Sequence, residues 1–136
     1  MEIGKYSLNK LRATFSTYTV AKDYADPIIN YLIYGFSPGG FFSAVLANDF
    51  SGAISHSHPA NTIPALKDLN TWILNHMVPG VMWGSYDNVN SWLAKTTDQR
   101  RAILVECNLI FTPEQETFLI LKDAPMRDTT NYEFDI

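Results

Sequence analysis

Residues 26–54 read DPIINYLIYGFSPGGFFSAVLANDFSGAI, and the rest of the chain has to cover whatever this stretch becomes. Its spacing predicts two apolar helices joined by a Gly/Pro turn. Asp26 suits the cap of the first, and Pro27 its first turn, where no amide hydrogen is needed. Ile28, Ile29, Tyr31, Leu32 and Ile33 leave that helix almost no polar face, so it is expected to be buried on most sides. Gly35 stands where a left-handed residue would end it, with Phe36 placed to fold back on the last turn. Ser37 and Pro38 restart the chain, and Phe42, Val45, Leu46, Asp49, Phe50 and Ala53 follow as one second helix.

Charge follows the same division. Asp49, Lys67, Asp68 and Asp87 are the only charged residues between Pro27 and Ala94, and all three tryptophans, Trp72, Trp83 and Trp92, lie there too. Either the charged flanks wrap this middle or part of it faces another chain, and a symmetric homodimer is the expected assembly. A net charge of −4 without a basic stripe argues against a nucleic-acid partner. Membrane attachment lacks support as well. No apolar run approaches the roughly 20 residues of a spanning helix, and MEIGKYSLNK lacks a signal peptide's apolar core. Cys107 is the single cysteine, which excludes an intrachain disulfide and fits a reducing, cytoplasmic setting.

Outside the central pair the pattern changes. Residues 11–20, LRATFSTYTV, are rich in Thr, Phe, Tyr and Val and predict a strand. SGAISHSHPANT is a loop, after which Asn61 or Thr62 caps a third helix with the apolar stripe Leu66, Leu69, Trp72, Ile73, His76 and Met77. Pro79 and Gly80 stop it. Ser85 caps a short fourth helix carrying Val89, Trp92 and Leu93. Residues 97–99 are compatible with a helical turn, but 102–111, AILVECNLIF, predict a buried strand. TPEQE then reads as a turn and 117–122, TFLILK, as a second strand. The expected fold is a single α+β domain over 1–136. In it a four-helix module (about 26–94) is flanked by β segments (about 11–20 and 102–122) that pair as a small antiparallel sheet. Residues 123–136 are expected to form a mobile tail.

The residues PGGFFSAVLANDFSGAI, the Trp72 helix and WGSYDNVNSWL resemble a group of small uncharacterised proteins of tailed bacteriophages. Those are similar in a Pro-Gly-Gly-Phe start, an Ala-Val-Leu-x-Asn-Asp helix and a Trp-Gly-Ser turn before a Trp-Leu helix. The resemblance spans roughly residues 28–93. It implies a phage origin and a compact helical module, and it carries no catalytic residue across.

Chemistry is sparse. His56 and His58 form an HxH pair with His76 one helix away, but no further ligand completes a structural metal set, and solvated loop histidines are the better reading. Asn48 and Asp49 are the polar pair of the second helix, with Asp49 on its apolar side. A carboxylate there is a site candidate; otherwise it caps a neighbouring helix or bonds a tryptophan or tyrosine. Ser37, Pro38, Gly39 and Gly40 place free amides at a helix start, where a phosphate or carboxylate could sit, but no P-loop lysine follows. Cys107, mid-strand among apolar neighbours, is expected to be inert. Arg100 and Arg101 read as solvated surface.

These readings point to a non-catalytic protein without cofactor that binds a host or phage protein, in host takeover or counter-defence. The segment PGVMWGSY, residues 79–86, is the expected contact, through Met82, Trp83 and Tyr86; against it stands Trp83 as a plug in the core. A small-ligand or nucleotide site at Ser37, Gly39 and Gly40 is the rival, and a structural homo-oligomer the third.

Overall fold

The computed structural model describes residues 3–17, 24–57 and 62–123. Eight α-helices follow one another in them: α1 (Lys5–Ala13), α2 (Ala25–Ile29), α3 (Gly40–Leu46), α4 (Phe50–His56), α5 (Ile63–His76), α6 (Tyr86–Ala94), α7 (Thr97–Glu106) and α8 (Pro113–Lys122). α2 runs on into a π-helical turn, Asn30–Tyr34.

That continuous segment is the axis of the molecule. Ile28, Ile29, Tyr31, Leu32 and Ile33 are all at most 1% exposed. Gly35, with φ 66° and ψ 32°, ends it in the left-handed region. The Gly35 amide donates to the Tyr31 carbonyl and the Phe36 amide to that of Asn30, both at 3.2 Å. Two other helices reach its carbonyls with side chains. Trp92 Nε1 donates to Tyr31 at 3.0 Å and Arg100 Nε to Ile33 at 3.2 Å. The Tyr31 hydroxyl in turn donates to the Met82 carbonyl at 2.6 Å, and its burial pushes the phenol pKa up. Widened turns of this kind occur where outside groups enter the helical ladder.

The expected α+β fold is wrong. No sheet exists among the described residues, whose only β pairing is an isolated bridge between Pro79 and Trp83. Residues 11–13 belong to α1, 14–17 form turns, and 18–20 lie outside the described residues. The expected C-terminal hairpin, 102–122, is the greater part of α7 and α8. Helix-start chemistry outweighs strand propensity there. Thr96 and Gln99 form a reciprocal capping box, and Thr112 and Gln115 form a second with Pro113 in the first turn. TPEQE is therefore a helix start.

The expected second helix is two. At Asn48 (φ 61°) the chain turns left-handed, and the Asp49 amide closes on Ala44 at 2.8 Å while that of Asn48 closes on Val45 at 3.1 Å. This is a Schellman end, and Asp49 then caps α4. The same ending recurs after α7. Asn108 has φ 63°, and the Leu109 and Asn108 amides return to Leu104 and Val105. Asp26 does not cap α2; Tyr24 holds that position, and Asp26 pairs with Arg12 at 2.6 Å. Of the expected tail, only Asp123 is described, at the end of α8.

Buried apolar side chains from α1 through α7 form one cluster, with Trp72, Trp92 and Leu46 fully enclosed. Trp72 stacks on Phe15 with ring centroids 4.2 Å apart and donates to Thr14 Oγ1 at 3.0 Å, tying the turns after α1 to α5. Arg100 and Arg101, expected at the surface, are only 4% and 5% exposed. The Arg100 guanidinium donates to carbonyls at the C-terminal ends of two helical segments, Ile33 and Lys95. A cation there complements both helix dipoles.

α8 sits outside this core. Its buried residue is Glu116, whose Oε2 accepts from the Ser7 amide at 2.6 Å. Because Gly4, at the cap of α1, offers no side chain, α8 supplies the missing acceptor. Ser7 Oγ completes the joint by accepting from the Phe111 amide at 3.0 Å. No described helix is long and apolar enough to cross a membrane.

Candidate functional site

α3 and α4 fold back on each other through the Asn48 turn, and α5 packs alongside. Between them runs an open groove of about 280 Å³. Its apolar lining is Val45, Phe50, Ala53, Ile54, Ile63 and Leu66. Phe50 is 75% and Ile63 62% exposed, although both are large and apolar. Its polar lining is Asn48, Asp49, Lys67 and Asn70. Among the described residues the Lys67 side chain makes no ion pair or hydrogen bond.

Asp49 joins two segments beside the groove. Its Oδ1 accepts from the Gly52 amide at 3.0 Å, capping α4, and its Oδ2 accepts from the Tyr86 hydroxyl at 2.6 Å. The Tyr86 bond, then the Gly52 amide, hold its carboxyl below the usual range, with a smaller contribution from His56 and against an opposing effect of burial. The same bond raises the Tyr86 phenol. Asp49 bonds a tyrosine, one of the structural roles expected of it, but the helix it caps is α4, which begins with the next residue, and not a neighbouring one. Both contacts leave its carboxylate occupied. Asn48 is exposed at the left-handed turn.

The other candidates are scattered. Met82 is fully buried, so of the three residues expected to make a contact in 79–86 only Tyr86 is largely exposed. Trp83 is half-buried and packs against the core; its indole Nε1 is buried and has no hydrogen-bond partner among the described residues. The Gly80 amide donates to its carbonyl at 2.8 Å and the Gly84 amide to that of Leu46 at 2.7 Å. The segment is thus a tight turn fixed to α3.

Gly39 caps α3 without a side-chain bond, and α3 has only seven residues. The recess beside Ser37 and Pro38 contains the Asp26 carboxylate, which opposes an anion. His56 ends α4 against Gly40, and His58 lies outside the described residues. His76 stacks on Trp72 at 4.9 Å with Nδ1 3.0 Å from the Trp72 carbonyl. Among the described residues no three His, Cys, Asp or Glu side chains come close enough to hold a metal ion. Cys107 is half-buried at the end of α7, its thiol pushed up first by burial and then by Glu106.

Sequence reasoning missed the groove because Phe50 read as part of the apolar spacing of the second helix and SGAISHSHPANT, with Ile54, as a loop. One signal was available. Lys67 is the sole cation between Pro27 and Ala94, and it stands four residues from Ile63 and one from Leu66. No protein-family model, curated protein or solved structure matches the chain.

Proposed function

We propose that the protein is a non-catalytic binding protein that receives an apolar segment of another polypeptide along the α4–α5 groove. Its role is that of a phage-encoded accessory protein acting on a host or phage protein. The observation that carries the reading is the groove itself: Phe50, Ile54 and Ile63 stand in water along its apolar lining. Each buried Å² of apolar surface contributes about 25 cal/mol, so a partner that covers these side chains gains what folding leaves unused. Lys67 and the amides of Asn48 and Asn70 at the rim supply orientation, as polar groups do at the edge of interfaces. The phage assignment is supported by the resemblance of residues 28–93.

The test is capture from bacterial lysate by the full chain and by Ile54→Glu. Loss of a captured protein by a variant that melts like the wild type is the expected result. Equal capture by both would remove the groove from the binding surface.

A further inference from the structure

Among the described helices α8 stands apart, because it contributes no apolar side chain to the core. Phe118, Ile120 and Leu121 are 64%, 56% and 68% exposed. Isolated apolar residues on a surface are ordinary, but three within four positions of one helix form an unpartnered ridge. Glu114, Phe118 and Leu121 fall at i, i+4 and i+7, on one face about 10 Å long. Ile63, Lys67 and Asn70 repeat that spacing along the α5 side of the groove.

Charge makes the two surfaces complementary. The groove carries one charge of each sign, the Asp49 carboxylate, engaged by Tyr86 and Gly52, and the Lys67 ammonium beside apolar side chains; the α8 ridge carries an anion, Glu114, beside apolar side chains. The Lys67 and Glu114 side chains make no hydrogen bond or ion pair among the described residues. A helix with anchors at i, i+4 and i+7 is the usual occupant of an apolar groove.

We propose that α8 of a second copy of this chain docks into the α4–α5 groove, Glu114 of one copy meeting Lys67 of the other. Phe118 and Leu121 enter against Phe50, Ile54 and Ile63. This rests on reading the groove as a docking face and names its resident occupant. Two reciprocal contacts close a dimer, and one-way contacts extend into a chain of copies. Either way the groove opens to a foreign segment only when α8 leaves, so self-association and partner capture compete.

Sedimentation velocity of the full chain, from about 1 to 300 μM, tests this range of affinities. The wild type should gain mass with concentration. Lys67→Glu and Glu114→Lys should each weaken association at least about tenfold, since like charges then face each other. Combining the two in one chain should restore it. Both positions are exposed, and matched thermal melts confirm folding of each variant. A wild type monomeric throughout, association unchanged in either single variant, or a double variant that fails to recover would each overturn the proposal. Should the wild type be monomeric while Ile54→Glu still loses a captured partner, the groove remains a docking face and only the second copy falls.

Discussion

Arg100 occupies the space that a side chain on Gly35 would need. A Cβ on Gly35 would lie 2.5 Å from a guanidinium nitrogen of Arg100, and Gly35 already has φ 66°. Two independent constraints thus meet in one residue: a left-handed ending for the axial helix and room for the cation that binds its Ile33 carbonyl. Gly35→Ala should cost at least about 2 kcal/mol, from the left-handed penalty plus displacement of Arg100. That corresponds to a melting temperature lower by about 6 °C or more. Arg100→Ala should cost about 3 kcal/mol, because charged hydrogen bonds at two helix ends vanish. The double variant should lose less than the sum, since removing Arg100 vacates the space that the new methyl requires. Strict additivity in thermal melts would show that the two residues act separately.

The Asp49–Tyr86 bond predicts a pH window. Asp49 titrates below its ordinary 3.8, so its contribution is present above that value and is lost as pH falls through the lowered pKa. Tyr86 titrates above its ordinary 10.0, so its contribution is present below 10.0 and is lost as pH rises through the raised pKa. Tyr86→Phe should therefore melt below the wild type by a constant margin from about pH 5 to 9. The margin should shrink at both extremes. A pH-independent margin would mean that the hydroxyl contributes by packing alone.

Asn48 and Asn108 end α3 and α7 with the same left-handed residue. Asn48→Gly should leave stability unchanged or slightly higher, while Asn48→Ala should lose about 1 kcal/mol. Chemical denaturation of the three proteins decides it. Equal stability of the alanine variant would mean that the turn has relaxed into another conformation.

Glu116 joins α8 to α1 through the Ser7 amide. Glu116→Ala leaves that buried donor unpaired, at a cost of about 1–3 kcal/mol. Proteolysis should then cut within α8 first, because this helix has little apolar contact to retain it. Unchanged proteolysis would shift the weight of the joint to the Tyr6–Asp123 hydrogen bond.

Sequence made the axial helix legible because its signals agree: an apolar run broken only by Asn30, Gly35 at the left-handed end and no charge after Asp26. The α5 stripe was legible for the same reason, with Leu69, Trp72, Ile73 and Met77 all buried. The flanks misled because AILVECNLIF and TFLILK hold strand-forming residues, while their helical fate is set by Thr96 and Thr112 a few positions earlier. A capping box settles one turn, and helix propagation then carries weaker residues along. The break at Asn48 was hidden by an apolar period that continues from Val45 through Ala53 as though the helix were whole. Arg100 was illegible because its partners are carbonyls, and any sequence can supply those. The groove was illegible for a different reason: exposure of Phe50 depends on where α5 stops covering α4.

The π turn at Asn30–Tyr34 has a kinetic consequence. Its Tyr31, Leu32 and Ile33 are buried, and Trp92 and Arg100 hold the Tyr31 and Ile33 carbonyls. Bringing the Leu32 and Ile33 amides to solvent requires α6 and α7, tied to this turn by Trp92 and Arg100, to come away. Local fraying at α1 or α8 passes them by. Hydrogen–deuterium exchange at these two amides therefore proceeds only when the whole molecule opens, and its rate reads the global unfolding free energy directly.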